Sequence, residues 1–88
     1  MPNKFLISYD LSKPDRDYPK VEAAIKNAAK YAHPLESVWV IESKFSEDDW
    51  KQKIAAAVDS DDKYLVTPIT SMSGRVDEAR KVGEIISD

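Results

Sequence analysis

A short apolar segment that ends in a carboxylate is the first guide to the fold. The segment runs from Lys4 to Ser12 and contains the bulky residues Phe5, Leu6, Ile7 and Tyr9. This composition is typical of a buried or half-buried β-strand. Pro14 follows soon after, and it both lacks an N–H donor and disfavours helical angles at the residue before it. Asp10 is therefore predicted at the carboxyl end of the first strand, where α/β proteins tend to place their chemistry.

Three segments have the apolar spacing of helices. From Tyr18 to Lys30, with Asp17 as a plausible cap, one stripe comprises Val21, Ala24, Ile25, Ala28 and Ala29. A second helix is predicted after Ser46, because Ser46 and Asp49 form a capping-box pattern ahead of a stripe with Trp50 and Ile54. A third helix is predicted over about residues 75–87, with an apolar side made by Val76, Ala79, Val82 and Ile86.

Strand-like segments separate these helices. Tyr31–Pro34 and Ser37–Ser43 are predicted to form a hairpin, and Tyr64–Thr67 is a further strand stopped by Pro68. The order predicts one α+β domain over residues 1–88, a ferredoxin-like βαββαβ sandwich with a core at about residues 4–68 and an additional C-terminal helix. In that arrangement the last strand lies antiparallel beside the first, so Asp61 and Asp62 approach Asp10.

Composition narrows the function classes. The chain has 88 residues, no cysteine and a net charge of −3, which excludes a disulfide framework, a thiolate nucleophile and a sulfur-ligated zinc. The excess of acidic over basic residues argues against strong sequence-independent binding to nucleic acid. No apolar run is long enough for a signal-peptide core or a membrane span, so a cytoplasmic protein is expected.

The candidate site residues each have a functional and a structural interpretation. Asp10 is a candidate ligand for Mg²⁺ or Mn²⁺ if a twin Asp10, Asp61 or Asp62 lies close by, and it is otherwise a turn cap. Lys13 and Arg16 are candidate phosphate-binding residues, although basic clusters are more often solvated helix faces. The run Asp59–Asp62 lacks the glycine and glutamate of an EF-hand loop, which favours a solvated turn.

The single histidine and the two tryptophans also have a functional and a structural interpretation. His33, the sole histidine, has no nucleophile partner nearby and is expected to pack beside Tyr31. Both tryptophans have the spacing of core residues, although Trp39 and Trp50 could also stack on bases. Burial is the expectation for both.

One combination of motifs resembles a known family. Tyr9-Asp10-Leu11-Ser12, a basic residue at Arg16, an amphipathic helix and then Glu36-Ser37-Val38-Trp39 resemble the small CRISPR-associated Cas-two proteins and their SinR-like relatives. The likeness covers about residues 4–67. It departs at the carboxyl end, where the family continues into a strand that pairs across a dimer and this chain has a helix-like segment from Arg75.

The resemblance implies a ferredoxin-like protomer and a symmetric homodimer. It implies Asp10 as the catalytic position, with a divalent metal for hydrolysis of a phosphodiester in RNA or DNA. The expected function is thus a metal-dependent endoribonuclease or a nuclease-derived protein associated with nucleic acid. The alternative is a non-catalytic dimeric module that binds a protein or nucleic acid.

Overall fold

The computed structural model describes residues 3–12 and 14–87, with the backbone alone described for residues 14–17. Within these ranges the elements are β1 (Asn3–Asp10), α1 (Pro14–Ile25), β2 (Lys30–Leu35), β3 (Val38–Ser43), α2 (Glu47–Ala57), β4 (Lys63–Pro68) and α3 (Ala79–Ser87). No helix in this described part has both the length and the apolar character needed to cross a bilayer.

The strands form one antiparallel four-stranded sheet with the order β2-β3-β1-β4. β1 is central and pairs with β3 on one side and β4 on the other, with Ile7 opposite both Trp39 and Val66. The predicted hairpin of β2 and β3 is present, and an irregularity in its register lies between Ala32 and Leu35. The fold is therefore α+β, and its order is compatible with the predicted split βαβ arrangement.

The main core lies between α1, α2 and one face of the sheet. Alternation along β1 sends Phe5, Ile7 and Tyr9 to this face, because successive side chains of a strand point to opposite sides. The helices contribute Val21, Ile25, Trp50 and Ile54, all fully buried. We call this the helix-covered face of the sheet. The predicted burial of Trp39 and Trp50 is confirmed.

The opposite face of the sheet is covered only in part. α3 packs on β2 and β3 there, and a smaller core forms from Ala32, Val40, Val82 and Ile85. β3 is consequently buried on both faces, which explains the burial of Glu42 and Ser43 at its end. Most of the β1 and β4 part of this face lies beyond α3, although the Lys4 side chain of β1 reaches the Ile86 carbonyl oxygen of α3. We call that region the open half-face; it includes Leu6, Ser8 and Asp10 of β1 and Lys63, Leu65 and Thr67 of β4.

Three helix boundaries, both ends of α1 and the start of α3, differ from the sequence prediction. α1 begins at Pro14 and ends at Ile25, so Asp17 lies inside the helix instead of capping it. α3 begins at Ala79, not at Arg75. The cause of the later start is local, because Gly74 has φ +152° and Glu78 has φ +51°, angles that a right-handed helix cannot contain.

The second helix begins as predicted. Ser46 accepts a hydrogen bond from the Asp49 amide, while the Asp49 carboxylate accepts one from the Ser46 amide. This reciprocal pair satisfies two amides that a helix start would otherwise leave unpaired. The capping box confirms the start of α2 at Glu47.

Candidate functional site

Asp10 lies where the sequence places it, as the last residue of β1. Its side chain is exposed and belongs to the open half-face. Within the described residues its carboxylate has no hydrogen bond and no ion pair. Its cross-strand neighbour is Lys63, the exposed first residue of β4. An acid and a base thus share one end of the open half-face.

The loop that precedes β4, residues 59–62, reaches the same end of the sheet but binds Ser12 instead of Asp10. Asp62 Oδ1 accepts hydrogen bonds from the Ser12 amide at 2.8 Å and from Ser12 Oγ at 3.0 Å. Ser12 Oγ also lies 3.0 Å from Asp61 Oδ2. The other Asp62 oxygen accepts from the Asp59 amide at 2.7 Å. Asp61 and Asp62 therefore hold the start of β4 against the residues that follow β1.

Three carboxylates of this loop form a group that could hold a metal ion. Asp59, Asp61 and Asp62 each offer an oxygen, and these oxygens lie within 4.8 Å of one another. Oxygen donors of this kind suit Mg²⁺, Mn²⁺ or Ca²⁺. Among the residues described, Asp10 is not a member of the group. The structure thus brings Asp61 and Asp62 together with Asp59, and Asp10 stands apart on the strand.

Sequence reasoning missed Ser12 and Lys63 as members of this region, and it interpreted Asp59 as part of a solvated turn. Lys63 could have been found, since an antiparallel last strand places its first residue beside the end of the first strand. Ser12 carried no signal, because its role depends on a loop fifty residues away in the chain. Of the predicted phosphate-binding residues, Lys13 lies outside the described residues, as does the side chain of Arg16.

The motif residues around Asp10 form a partly buried hydrogen-bonded cluster with Tyr18 on the helix-covered face. Trp39 Nε1 donates to Tyr9 Oη at 3.0 Å, and the Tyr9 ring meets the Tyr18 ring edge-on. Tyr18 Oη and Ser37 Oγ are 2.9 Å apart. Burial raises the pKa of Tyr9, and the hydrogen bond from Trp39 partly offsets that effect. Tyr9 is therefore a neutral structural phenol.

His33 packs on this cluster in a way that the sequence did not indicate. Its ring stacks on Trp39, with ring centres 3.9 Å apart and planes 9° apart. Nε2 of the same ring lies 2.9 Å from the Glu36 carbonyl oxygen. Tyr31 also contacts Trp39, at 6.0 Å between ring centres. The packing of His33 among aromatic rings supports the structural interpretation of the histidine.

Comparisons with known proteins give information about the fold and none about function. No protein-family model matches the chain, and no curated protein does. Among solved structures, the chain is similar to a hypothetical protein, TT1823, from Thermus thermophilus. The TM-score is 0.65 and the sequence identity 16%, over 86% of this chain and 95% of the other.

Proposed function

We propose that the chain is a Cas-two-like homodimeric protein with a ferredoxin-like fold. The order β2-β3-β1-β4 supports the ferredoxin-like arrangement, as do the paired helices on one face. The motif residues support the family proposal, because Tyr9, Ser37 and Trp39 occupy one continuous cluster next to Asp10.

In this proposal the protein associates with RNA or DNA and cleaves a phosphodiester at Asp10. The observation that carries the proposal is the exposed Asp10 carboxylate at the strand end, with the Lys63 ammonium group as its cross-strand neighbour. Lys63 offers a positive charge to a substrate phosphate. Bound Mg²⁺ or Mn²⁺ would neutralise charge on the phosphate and lower the pKa of a water molecule.

Asp10 is the residue proposed to hold that cation. Magnesium in proteins is commonly bound by one or two carboxylates, with waters and substrate phosphates completing the shell. The Asp59, Asp61 and Asp62 group is a second place where a cation could bind. Because Asp62 accepts hydrogen bonds on both of its oxygens, we assign that group chiefly to holding the loop in position.

A non-catalytic dimeric interaction module is the second candidate. It is favoured by the position of the other acids, since Asp61 and Asp62 bind Ser12 and do not form a carboxylate pair with Asp10 in the described residues. An acidic chain with a net charge of −3 also gains little from phosphate contacts.

Cleavage assays separate the two candidates. The purified chain is incubated with single- and double-stranded RNA and DNA, with Mg²⁺, Mn²⁺ or EDTA. We expect metal-dependent cleavage that Asp10→Asn reduces by about 100-fold or more. Asp48→Asn is the matched control, because Asp48 is an exposed acid in the first turn of α2.

Each result of the cleavage assays favours one of the two candidate functions. Cleavage that persists in Asp10→Asn would remove Asp10 from the reaction, and cleavage that persists in EDTA would remove the cation. If the wild-type chain cleaves none of the substrates with either metal, the non-catalytic module becomes the better description. Circular dichroism of each variant checks that a loss of cleavage is not a loss of folding.

A further inference from the structure

An apolar groove runs along one side of α3. The segment that joins β4 to α3, residues 69–78, passes from the β4 edge of the sheet to the β2 edge, and we call it the connector. Its Ile69 amide donates to the Lys4 carbonyl oxygen at 3.1 Å, and its Asp77 amide donates to the Pro34 carbonyl oxygen at 2.8 Å. Between the connector and α3 lies a cavity of about 200 Å³. Its apolar lining residues are Met72, Val76, Ala79, Val82, Gly83 and Ile86.

The groove follows one side of the helix. Ala79, Gly83 and Ile86 are separated by four and then three positions, so they line up along α3. Val82 forms the floor of the groove, since it is buried and packs in the small core. Ala79 and Gly83 are exposed, and a Cβ added at Gly83 would meet no atom within 4 Å. The groove is therefore open to a chain that approaches from outside.

The size and lining of the groove favour apolar side chains over a bound small molecule. Pockets that enclose cofactors or drug-sized ligands usually measure roughly 300–1,000 Å³, which is larger than this groove of about 200 Å³. None of the described residues that line the groove carries a charge. A row of apolar positions with helical spacing is the kind of surface on which an amphipathic helix of another protein docks. The groove thus suits a few apolar side chains from one face of such a helix.

Two arginines flank the groove. Arg75 lies between the lining residues Gly74 and Val76, and Arg80 directly follows Ala79. Both arginines are exposed, and in the described ranges neither guanidinium group makes a hydrogen bond or an ion pair. An exposed guanidinium group presents its donors in a planar fork that fits a carboxylate. A partner that carries carboxylates beside its apolar side chains is therefore complementary to this surface.

The acids close to the arginines leave this positive charge largely uncompensated. The Glu78 carboxylate accepts from the His33 amide at 2.7 Å and pairs with Lys81 at 3.1 Å, so it is engaged beside β2. Glu84 lines a different cavity, which also lies beside β2. Asp77 is exposed and is the remaining acid of the connector. The groove side of α3 therefore keeps an excess of positive charge, although the whole chain has a net charge of −3.

We infer that the groove between the connector and α3 is the docking site for an acidic amphipathic helix of a partner protein. Apolar side chains of that helix, spaced three and four positions apart, fill the groove, and its carboxylates pair with Arg75 and Arg80. Gly83 provides room for the close approach of the partner. The inference does not rest on the proposed function, because the groove lies along α3 and Asp10 belongs to the open half-face.

Titration of a designed peptide into the isotopically labelled full chain, followed by NMR, tests the site. The probe is a peptide of about 14 residues with leucines at helical spacing and with glutamates and alanines elsewhere, and its counterpart has lysines in place of the glutamates. We expect a dissociation constant of about 100 μM or lower for the acidic peptide and one at least about tenfold higher for the basic peptide. The shift changes caused by the acidic peptide should centre on Met72, Val82 and Gly83.

Two variants test the groove and the charge separately. Gly83→Leu fills the groove and should raise the dissociation constant of the acidic peptide at least about tenfold. Ala55→Leu, at an exposed position of α2, is its matched control. Arg80→Glu should weaken binding of the acidic peptide and strengthen binding of the basic one, whereas Lys20→Glu makes the same charge change at an exposed position of α1 and should alter neither. Circular dichroism checks that each variant is folded.

Failure of the acidic peptide to bind the wild-type chain would overturn the inference, as would equal binding of the two peptides. A peptide that binds Gly83→Leu as tightly as wild type would also contradict it. If single-stranded RNA or DNA shifts the Arg75 and Arg80 signals and the acidic peptide does not, the surface binds phosphate and the inference is wrong. Asp10→Asn should bind the peptide as wild type does, so docking and cleavage can fail independently of each other.

Discussion

At the scale of single residues, the motif formed by Tyr9-Asp10-Leu11-Ser12 and Glu36-Ser37-Val38-Trp39 is chiefly structural. Tyr9, Ser37 and Trp39 lie within one hydrogen-bonded cluster against the helices. Asp10 is an exposed member of the motif and lies outside this cluster. A chain could keep the cluster to preserve its core and still lose catalysis, so Asp10 has to be tested separately from its neighbours.

Tyr9→Phe should destabilise the protein by about 1–3 kcal/mol, because Trp39 Nε1 would stay buried without an acceptor. Urea unfolding measures the change. Trp39→Phe provides the control background, since the Tyr9 hydroxyl is then itself unpaired. In that background Tyr9→Phe should be close to neutral or stabilising. An equal cost in both backgrounds would contradict the assigned hydrogen bond.

The same residue predicts a pH dependence. Burial raises the pKa of Tyr9 above its ordinary value of 10.0. The unfolded chain therefore loses the Tyr9 proton at lower pH than the folded chain does. The contribution of protonated Tyr9 to the free energy of unfolding is fully present below pH 10.0 and is lost as pH rises through the folded-state pKa. We expect the alkaline decline in the free energy of unfolding to be shallower in Tyr9→Phe than in wild type. If the free energy of unfolding fell with pH at the same rate in both proteins, the raised pKa of Tyr9 would be contradicted.

At the scale of elements, α3 is held on the sheet by contacts at both of its ends. Before its start, Glu78 accepts from the His33 amide and pairs with Lys81 at 3.1 Å; the His33 hydrogen bond and then Lys81 lower the pKa of the Glu78 carboxyl. At its other end, Lys4 Nζ donates to the Ile86 carbonyl oxygen at 2.9 Å. A cation there also suits the negative end of the helix dipole.

Gly83→Ala should stabilise α3 by about 0.5–1 kcal/mol, because alanine favours the helix more than glycine does. A Cβ at Gly83 meets no atom within 4 Å. Thermal unfolding or urea titration measures the gain. Gly74→Ala is the matched control and should destabilise, since φ at Gly74 is +152°. A stabilising Gly74→Ala would contradict the described backbone.

At the scale of the whole molecule, the sheet has a large core on one face and a small one on the other. The large core includes Ile7, Ile25, Trp50 and Ile54, all fully buried. The small core has Val82 and Ile85 of α3 on Ala32 and Val40. Regions with few buried apolar contacts open locally at lower free energy than the global core. We therefore expect α3 to exchange amide hydrogens before the sheet does.

Val82→Ala should speed amide exchange in α3 while leaving protection in β1 nearly unchanged. Ile54→Ala should lower global stability by about 2–5 kcal/mol and reduce protection in β1 as well. Native-state hydrogen exchange followed by mass spectrometry or NMR measures both. If Val82→Ala reduced protection equally throughout, the two cores would unfold as one unit and the division would be wrong.

Much of the fold could be predicted from residue patterns within single segments of the sequence. Period-two and helical spacing gave the strands, α2 and its cap, because these signals arise within one element. The start of α3 was misplaced because apolar spacing at Val76 and Ala79 does not reveal backbone angles. The position of Asp10 at a strand end was predictable, and the binding of Asp62 to Ser12 was not, since that contact depends on two distant loops meeting.

The chain by itself determined which segments become strands and helices, and that an acid ends the first strand, because these follow from neighbouring side chains and turn residues. Tertiary structure alone decided that α3 covers half of one face and that Asp77 and Glu78, just before α3, bond to the β2 edge. It also decided that Lys63 lies opposite Asp10 and that the main-chain N–H and C=O groups of Tyr64 and Val66 face away from β1. The physical reason is that edge and face exposure depend on how elements pack, and packing joins residues that the sequence keeps far apart.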